Sequence, residues 1–179
     1  LWWVDFGAAR GRGWFNEPKV MDELARLRSI SESMRSWDGG SASEVALVCD
    51  PESVAYLGYP PGLGYRLITG VCTELFRCGA PFDTILLDDL GDPGLRDYRV
   101  YIFLDCFYLD ASERERIARV VKCGGKTAIW LFGSGFIGPE GASARNCSEL
   151  TGIKTRFISE KSAQIAEVRD PNNPLMAGL

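Results

Sequence analysis

Residues 45–49 read Val-Ala-Leu-Val-Cys, and this unbroken apolar run constrains the fold more than any other part of the sequence. A strand with one face in water alternates polar and apolar residues, whereas a continuous run is typical of a parallel strand buried on both faces. Three further strands are predicted at 84–87, 100–104 and 127–132, which are also largely apolar. We therefore expect a parallel sheet built from these segments.

Helical patterns lie between the predicted strands. One helix is predicted over 65–78, where apolar residues recur at helical spacing. A second begins after Asp110, with Glu113 in capping-box spacing, and ends at the glycine pair 124–125. The pattern is completed by a short helix over 143–150 and a last strand over 155–158.

Strands that alternate with helices over short connections predict a doubly wound sheet with right-handed crossovers. The predicted fold class is therefore α/β, an open flavodoxin-like parallel sheet with helices on both faces. This domain covers residues 44–179 and is expected to lack its final strands.

A separate unit is predicted before this domain. Residues 1–6 are rich in aromatic and β-branched residues and predict a strand, a glycine-bearing loop follows over 7–16, and an apolar stripe predicts a helix from Pro18. A strand and a helix cannot bury their own faces, so residues 1–37 need partners that this chain does not supply. Residues 38–43 form the linker, and we interpret the chain as part of a longer protein.

Composition excludes several classes of function. The 179 residues contain no histidine, which rules out Ser-His, Cys-His and His-metal chemistry within the chain. The net charge of −4 is scattered, so no nucleic-acid partner is expected. No apolar run approaches the roughly 20 residues of a membrane span. The six cysteines form no CxxC pair, and three lie in apolar runs, which favours reduced thiols and a cytoplasmic location.

Any ligand of such a sheet is expected at the carboxyl ends of the strands, near Asp50, Asp105 and Ser134. Ser134 stands where a nucleophile elbow would lie, but no base accompanies it, so a turn residue is the favoured interpretation. Cys106 also follows a strand, and its apolar neighbours would raise the pKa of its thiol, so we favour a core residue.

Asp50 and Asp105 could share a Mg²⁺ ion, as in a phosphoacceptor receiver domain. That site needs a second acidic residue beside the first, where this chain has Pro51, and a lysine after the last strand, whereas Lys154 precedes it. Phosphate-binding glycine motifs are absent from the sequence. We therefore predict no cofactor and no metal. The glycine-rich loop 7–13 is either a flexible connection or a binding loop.

The residues also resemble a known family. Residues 2–6, followed by Gly13-Trp14-Phe15 and Pro18, resemble the last β-α unit of the catalytic barrel in family-42-type β-galactosidases. The stretch from Glu44 resembles the trimerisation domain that follows that barrel. The resembling segments are Val45–Val48 with Asp50–Ser53, Asp97–Ile102, the helix from Asp110 into Gly124–Ala128, and Asn173–Leu175.

The resemblance implies a class I glutamine-amidotransferase-like fold without its catalytic triad. The catalytic glutamates would lie on earlier barrel strands, so no catalytic residue is expected in this chain. Trp3, Asp5, Trp14 and Phe15 match the end of the barrel strand where sugar-lining residues are found, although packing in the barrel core is an equal alternative.

Three hypotheses for function follow. The first is a non-catalytic oligomerisation and accessory domain that self-associates, with the trimer as the assembly that the resemblance implies, within an enzyme that hydrolyses β-galactosides through two carboxylates with retention. The second is an amidotransferase-like hydrolase that uses Cys106 or Ser134. The third is a small-ligand or phosphoacceptor module with Asp105 as acceptor.

Overall fold

The structure, a computed structural model, describes residues 18–37, 39–57 and 62–158. The chain divides into two compact units, Leu1–Ala42 and Ser43–Leu179. The predicted strand at 1–6 and the loop at 7–16 lie outside the described residues. The assignment of residues 1–37 to a barrel, of 38–43 to a linker and of 44–179 to a trimerisation domain stays a prediction.

The first unit contributes helix α1, Pro18–Met34, which starts where the sequence predicts. None of its residues is buried, and the apolar side chains Val20, Met21, Ile30 and Met34 are all exposed.

The second unit alternates strands and helices. Its elements in chain order are β1 Val45–Cys49, α2 Pro51–Val54, α3 Gly62–Tyr65, a π-helical segment Arg66–Gly70, α4 Val71–Cys78, β2 Phe82–Leu86, a 3-10 turn Leu87–Asp89, β3 Val100–Phe103, α5 Ala111–Val120, β4 Thr127–Trp130, β5 Ile137–Gly138, β6 Gly141–Ala142 and α6 Ala144–Thr151. The helical stretch from α3 through α4 begins three residues before the predicted start at residue 65.

Four of these strands form one parallel sheet in the order β2-β1-β3-β4. In the register, Leu47 of β1 is level with Ile102 of β3, which is level with Ile129 of β4. The chain moves from β1 to one side and later returns to the other, as in a doubly wound sheet. The predicted α/β flavodoxin-like fold is confirmed.

Each face of the sheet has its own core. On one face Ala46, Val48, Tyr101 and Phe103 pack with Ile117 of α5. On the other face Leu47 and Ile102 pack against the stretch from the π-helical segment into α4, through Ile68, Val71, Cys72 and Leu75. Helices therefore cover both faces, which is why β1 can be apolar at every position.

Side-chain caps define where two helices begin. The Asp110 carboxylate accepts a hydrogen bond from the Glu113 backbone N–H at 2.8 Å, and the Glu113 carboxylate accepts one from the Asp110 N–H at 2.7 Å. The predicted capping box is confirmed, and it holds α5 at the carboxyl end of β3. Ser143 caps α6 by accepting from the Arg145 N–H at 3.1 Å.

The strand predicted at 155–158 is wrong. Those residues form no strand, because local contacts hold them against α6: Thr155 donates its N–H to the Ser148 hydroxyl at 2.9 Å and its own hydroxyl to the Ala144 carbonyl at 2.8 Å. Phe157 stacks on Phe136 with ring centroids 5.8 Å apart. The sequence also gave no indication of the small hairpin β5–β6.

Two further properties bear on the predictions. All six cysteines are free thiols, as predicted. Within ranges 18–37, 39–57 and 62–158, no helix has the length and apolar character needed to cross a bilayer.

The capping box generates a stability prediction. Replacing Asp110 with Ala removes the acceptor for the Glu113 N–H, so the free energy of unfolding should fall by about 1 kcal/mol in urea titrations. Asp110→Asn, which keeps an oxygen acceptor, is the matched control and should lose much less. Equal losses in both variants would contradict the capping role.

Candidate functional site

The candidate site lies at the carboxyl ends of β1 and β3, because the chain reverses its direction of winding between these two strands. Asp50 follows β1 and Asp105 follows β3. The Asp50 backbone N–H donates to Asp105 Oδ1 at 2.9 Å. The structure thus brings together the two aspartates that the sequence placed at strand ends.

The Asp50 carboxylate is buried and engaged by its own chain. Oδ1 accepts from the Glu52 N–H at 3.1 Å, and Oδ2 accepts from the Ser53 N–H at 3.0 Å. The Ser53 hydroxyl is hydrogen-bonded to the same Oδ2. Asp50 is therefore the N-cap of α2, and neither oxygen is turned toward a ligand.

Ser53 ties the two strand ends together. Its hydroxyl accepts a hydrogen bond from the Tyr108 N–H at 2.9 Å, which links α2 to the loop after β3. Above this contact, the Tyr56 and Tyr108 rings stack at 5.1 Å with an interplanar angle of 8°. These side chains therefore contact one another across the two strand ends at the switch in strand order.

Asp105 is 1% exposed and lies beside Asp50. Its Oδ1 accepts from Asp50, whereas Oδ2 is buried and has no hydrogen-bond partner among the described residues. Burial raises the pKa of the Asp105 carboxyl most; the hydrogen bond from the Asp50 N–H lowers it in part, and the charge of Asp50 raises it.

Cys106 has no exposed surface, and its thiol donates to the Val48 carbonyl at 3.8 Å. Burial raises the pKa of this thiol well above its usual value, with added effects from the Asp105 and Asp50 carboxylates. Burial likewise raises the pKa of the neighbouring Cys49 to about 12. The burial of Cys106 confirms the predicted core role. A raised pKa also leaves little of the thiolate, which is the nucleophilic form of a cysteine.

Ser134 is a turn residue, as predicted. It is 2% exposed, and its hydroxyl donates to the Leu131 carbonyl at 2.9 Å. The next residue, Gly135, has φ of 67° and donates its N–H to the Cys106 carbonyl at 2.7 Å. No described base or oxyanion pocket accompanies the hydroxyl, so the amidotransferase-like hydrolase gains no support here. Lys154 is exposed after α6.

The backbone conformation of Phe132 was not predicted from the sequence. Immediately after β4 this residue adopts φ of 52°, a left-handed conformation that is rare for aromatic residues. It is 65% exposed and meets Phe107 edge-on, with ring centroids 5.5 Å apart. The Gly-Ser-Gly sequence that follows was the available sign of a sharp turn after the strand.

A cleft of about 500 Å³ lies elsewhere, between α5, the β5–β6 hairpin and α6. Arg114 lines it, but its guanidinium donates to three carbonyls, those of Leu109, Gly135 and Asn146, at 2.8–3.2 Å. The Arg114 side chain therefore connects the loop before α5, the turn after β4 and α6, and its donors are not directed toward a ligand.

A metal site needs several potential ligand side chains close together. In the part of the chain that the structure describes, no group of three or more acidic or cysteine side chains is placed to hold a metal ion. The four proposed sugar-lining residues, Trp3, Asp5, Trp14 and Phe15, lie outside the described residues and stay predictions.

The chain was compared with known proteins. No protein-family model matches it, and no curated protein matches it by sequence. A crystal structure of a β-galactosidase from Bifidobacterium adolescentis is similar over 64% of this chain, with 15% identity and a TM-score of 0.50. The match covers 56% of that β-galactosidase chain. At this identity the similarity shows a β-galactosidase-like fold alone.

Burial of the site predicts the pattern of thiol labelling. Iodoacetamide should modify Cys78 and Cys123, which are exposed, in the native protein, whereas Cys106 should react only after global unfolding. Peptide mass spectrometry at increasing labelling times measures this order. Fast, single-site modification of Cys106 would contradict the buried thiol and favour the hydrolase hypothesis.

Proposed function

We propose that this chain is a non-catalytic accessory and oligomerisation part of a β-galactosidase-like glycoside hydrolase of the family-42 type. In this proposal, residues 44–179 are the amidotransferase-like trimerisation domain, and residues 1–37 are the last β-α unit of the catalytic barrel. The parent enzyme hydrolyses β-galactosides or related sugars with two carboxylates supplied by earlier barrel strands.

The observation that carries the proposal is the closed junction between β1 and β3. A ligand of a doubly wound sheet binds in the crevice at this junction. Here Asp50 caps α2, Ser53 bridges to Tyr108, and Cys106 lies within the core. Each of these three side chains is engaged in holding the fold, which supports a structural function for the domain.

Exposed apolar side chains beside the edge of the sheet support self-association. Among the residues that the structure describes, β4 is the last strand of the four-stranded sheet, and an edge strand leaves half of its backbone hydrogen-bonding groups available for a partner. Ile129 on this strand and Phe132 just after it are 42% and 65% exposed. We assign this edge to a second copy of the chain, and the trimer remains what the resemblance implies.

The assignment of residues that contact the sugar in the parent enzyme is supported by the family resemblance alone. This resemblance assigns Trp3, Asp5, Trp14 and Phe15 to the part of the barrel that lines the sugar site. These residues serve the proposed parent enzyme, because the chain itself holds only one of the eight β-α units of such a barrel.

The proposal is tested first by activity. The isolated chain should not hydrolyse a chromogenic β-galactoside above the rate without protein, because the catalytic carboxylates lie on other barrel strands. A complete parent enzyme assayed in parallel is the control. Turnover that is abolished by a single substitution in this chain, such as Cys106→Ala or Ser134→Ala, would overturn the accessory role.

Self-association is tested separately. Light scattering at micromolar concentration should give a mass above 20 kDa, the mass of one chain. The double variant Ile129→Lys with Phe132→Ser should weaken association by about tenfold or more, which corresponds to about 1.4 kcal/mol.

The matched control for that variant is Tyr65→Ser on α3, since Tyr65 is exposed to the same extent as Phe132. It should leave association unchanged. A monomer at all concentrations would contradict the oligomerisation part of the proposal, and equal weakening by the control would contradict the assignment to the β4 edge.

A further inference from the structure

We propose that Asp105 keeps its proton in the folded protein at pH values above those at which an ordinary aspartate ionises, and that loss of this proton weakens the junction of β1 and β3. This inference goes beyond the proposed function and does not depend on it. It rests on the arrangement of two buried carboxyl groups at neighbouring strand ends.

The first step is the hydrogen bonding of Asp105. An ionised carboxylate only accepts hydrogen bonds and carries negative charge on both oxygens. In Asp105, Oδ1 accepts from the Asp50 N–H at 2.9 Å, while the buried Oδ2 has no partner in the described part of the chain. A proton on Oδ2 removes the charge from that oxygen and leaves Oδ1 as a carbonyl acceptor for Asp50.

The second step is the contrast with Asp50. Three donors reach its carboxylate: the backbone N–H groups of Glu52 and Ser53, and the hydroxyl of Ser53. Such donors stabilise the ionised form of a carboxyl group. Of two adjacent acids that are both nearly inaccessible to solvent, Asp105 is the one that lacks a donor at one carboxyl oxygen, so a proton is favoured there.

The third step is the set of charges around the pair. The acidic, thiol and phenol groups on the surrounding elements are Cys49 and Asp50 at the end of β1, Cys106 and Tyr108 after β3, Glu52 and Tyr56 on and just after α2, and Glu113 and Glu115 on α5. Every one of them is neutral or negative, and the turn after β4, residues 131–136, adds no titratable side chain.

α5 carries three cations, of which Arg119 is exposed and the other two are engaged elsewhere. Arg114 binds the carbonyls described above, and Arg116 binds the Leu87 carbonyl and the Asp88 carboxylate. No described cation contributes to the titration of Asp105: burial raises the pKa of its carboxyl most, the hydrogen bond from the Asp50 N–H lowers it by less, and the charge of Asp50 raises it, so that the net direction is upward. Geometry and electrostatics thus favour the same protonation state.

The sign of the pH effect follows. Because the folded protein binds this proton more tightly than the unfolded chain, Asp105 stabilises the fold fully below its unfolded pKa of about 3.9. That stabilisation is lost as the pH rises through the higher folded pKa. A tenfold difference in proton affinity corresponds to a Tm difference of about 4 °C for a domain of this size.

The experiment measures thermal unfolding of the full chain from pH 5 to 8.5. The Tm of the natural sequence should fall as the pH rises. Asp105→Asn keeps the acceptor for Asp50 without a titratable group, so its Tm should be nearly independent of pH in this range. Asp89→Asn, which alters an exposed acid, is the control and should keep the pH dependence of the natural sequence, whereas Asp50→Asn removes the charge beside Asp105 and should reduce that dependence.

If Asp105→Asn does not fold, the proposal can still be tested by measuring the titration of Asp105 directly. The carboxyl carbon of Asp105 in the natural sequence, followed by carbon-13 NMR, should titrate well above the ordinary midpoint of about 3.9. A midpoint at or below that value would overturn the proposal. So would an Asp105→Asn variant that folds and retains the original dependence of Tm on pH.

Discussion

The burial of β1 on both faces is the constraint on which the rest of the second unit depends. Ala46, Leu47 and Val48 have no exposed surface, so β1 must lie between two other strands and between two layers of cover. β2 and β3 supply the strands, and helices supply most of the cover. The switch in strand order then falls between β1 and β3, which forces the residues after both strands, Asp50 and Asp105, into contact.

Features whose causes lie within a few residues could be predicted from the sequence. The bounds of β1 follow from its apolar composition, and the start of α5 follows from Asp110 and Glu113, whose two hydrogen bonds span three residues. The doubly wound parallel sheet could also be predicted, because strands that alternate with helices over short right-handed crossovers leave few arrangements. The burial of Cys106 was predictable because most of its neighbours in the sequence, Phe103, Leu104 and Phe107, are apolar.

Features that depend on distant or competing contacts were missed. Residues 155–158 have the composition of a strand, but Thr155 bonds to Ser148 and Ala144 of the preceding helix, a contact that composition does not reveal. For Asp50, a readable signal was available: an aspartate followed by Pro51 is typical of an N-cap and the first position of a helix. That local pattern explains why the carboxylate serves α2 instead of a ligand.

The π-helical segment Arg66–Gly70 has a consequence for the comparison of related sequences. Each π turn holds one residue more than an α turn, so it offsets the residues that follow by about 100° around the helix axis. Ile68 within the segment and Val71 and Leu75 after it nevertheless all pack on the same face of the sheet. A relative that lacks this one residue can make the same contacts with an uninterrupted α-helix. A correct alignment then requires a single-residue gap inside a helix, where alignment methods usually penalise gaps.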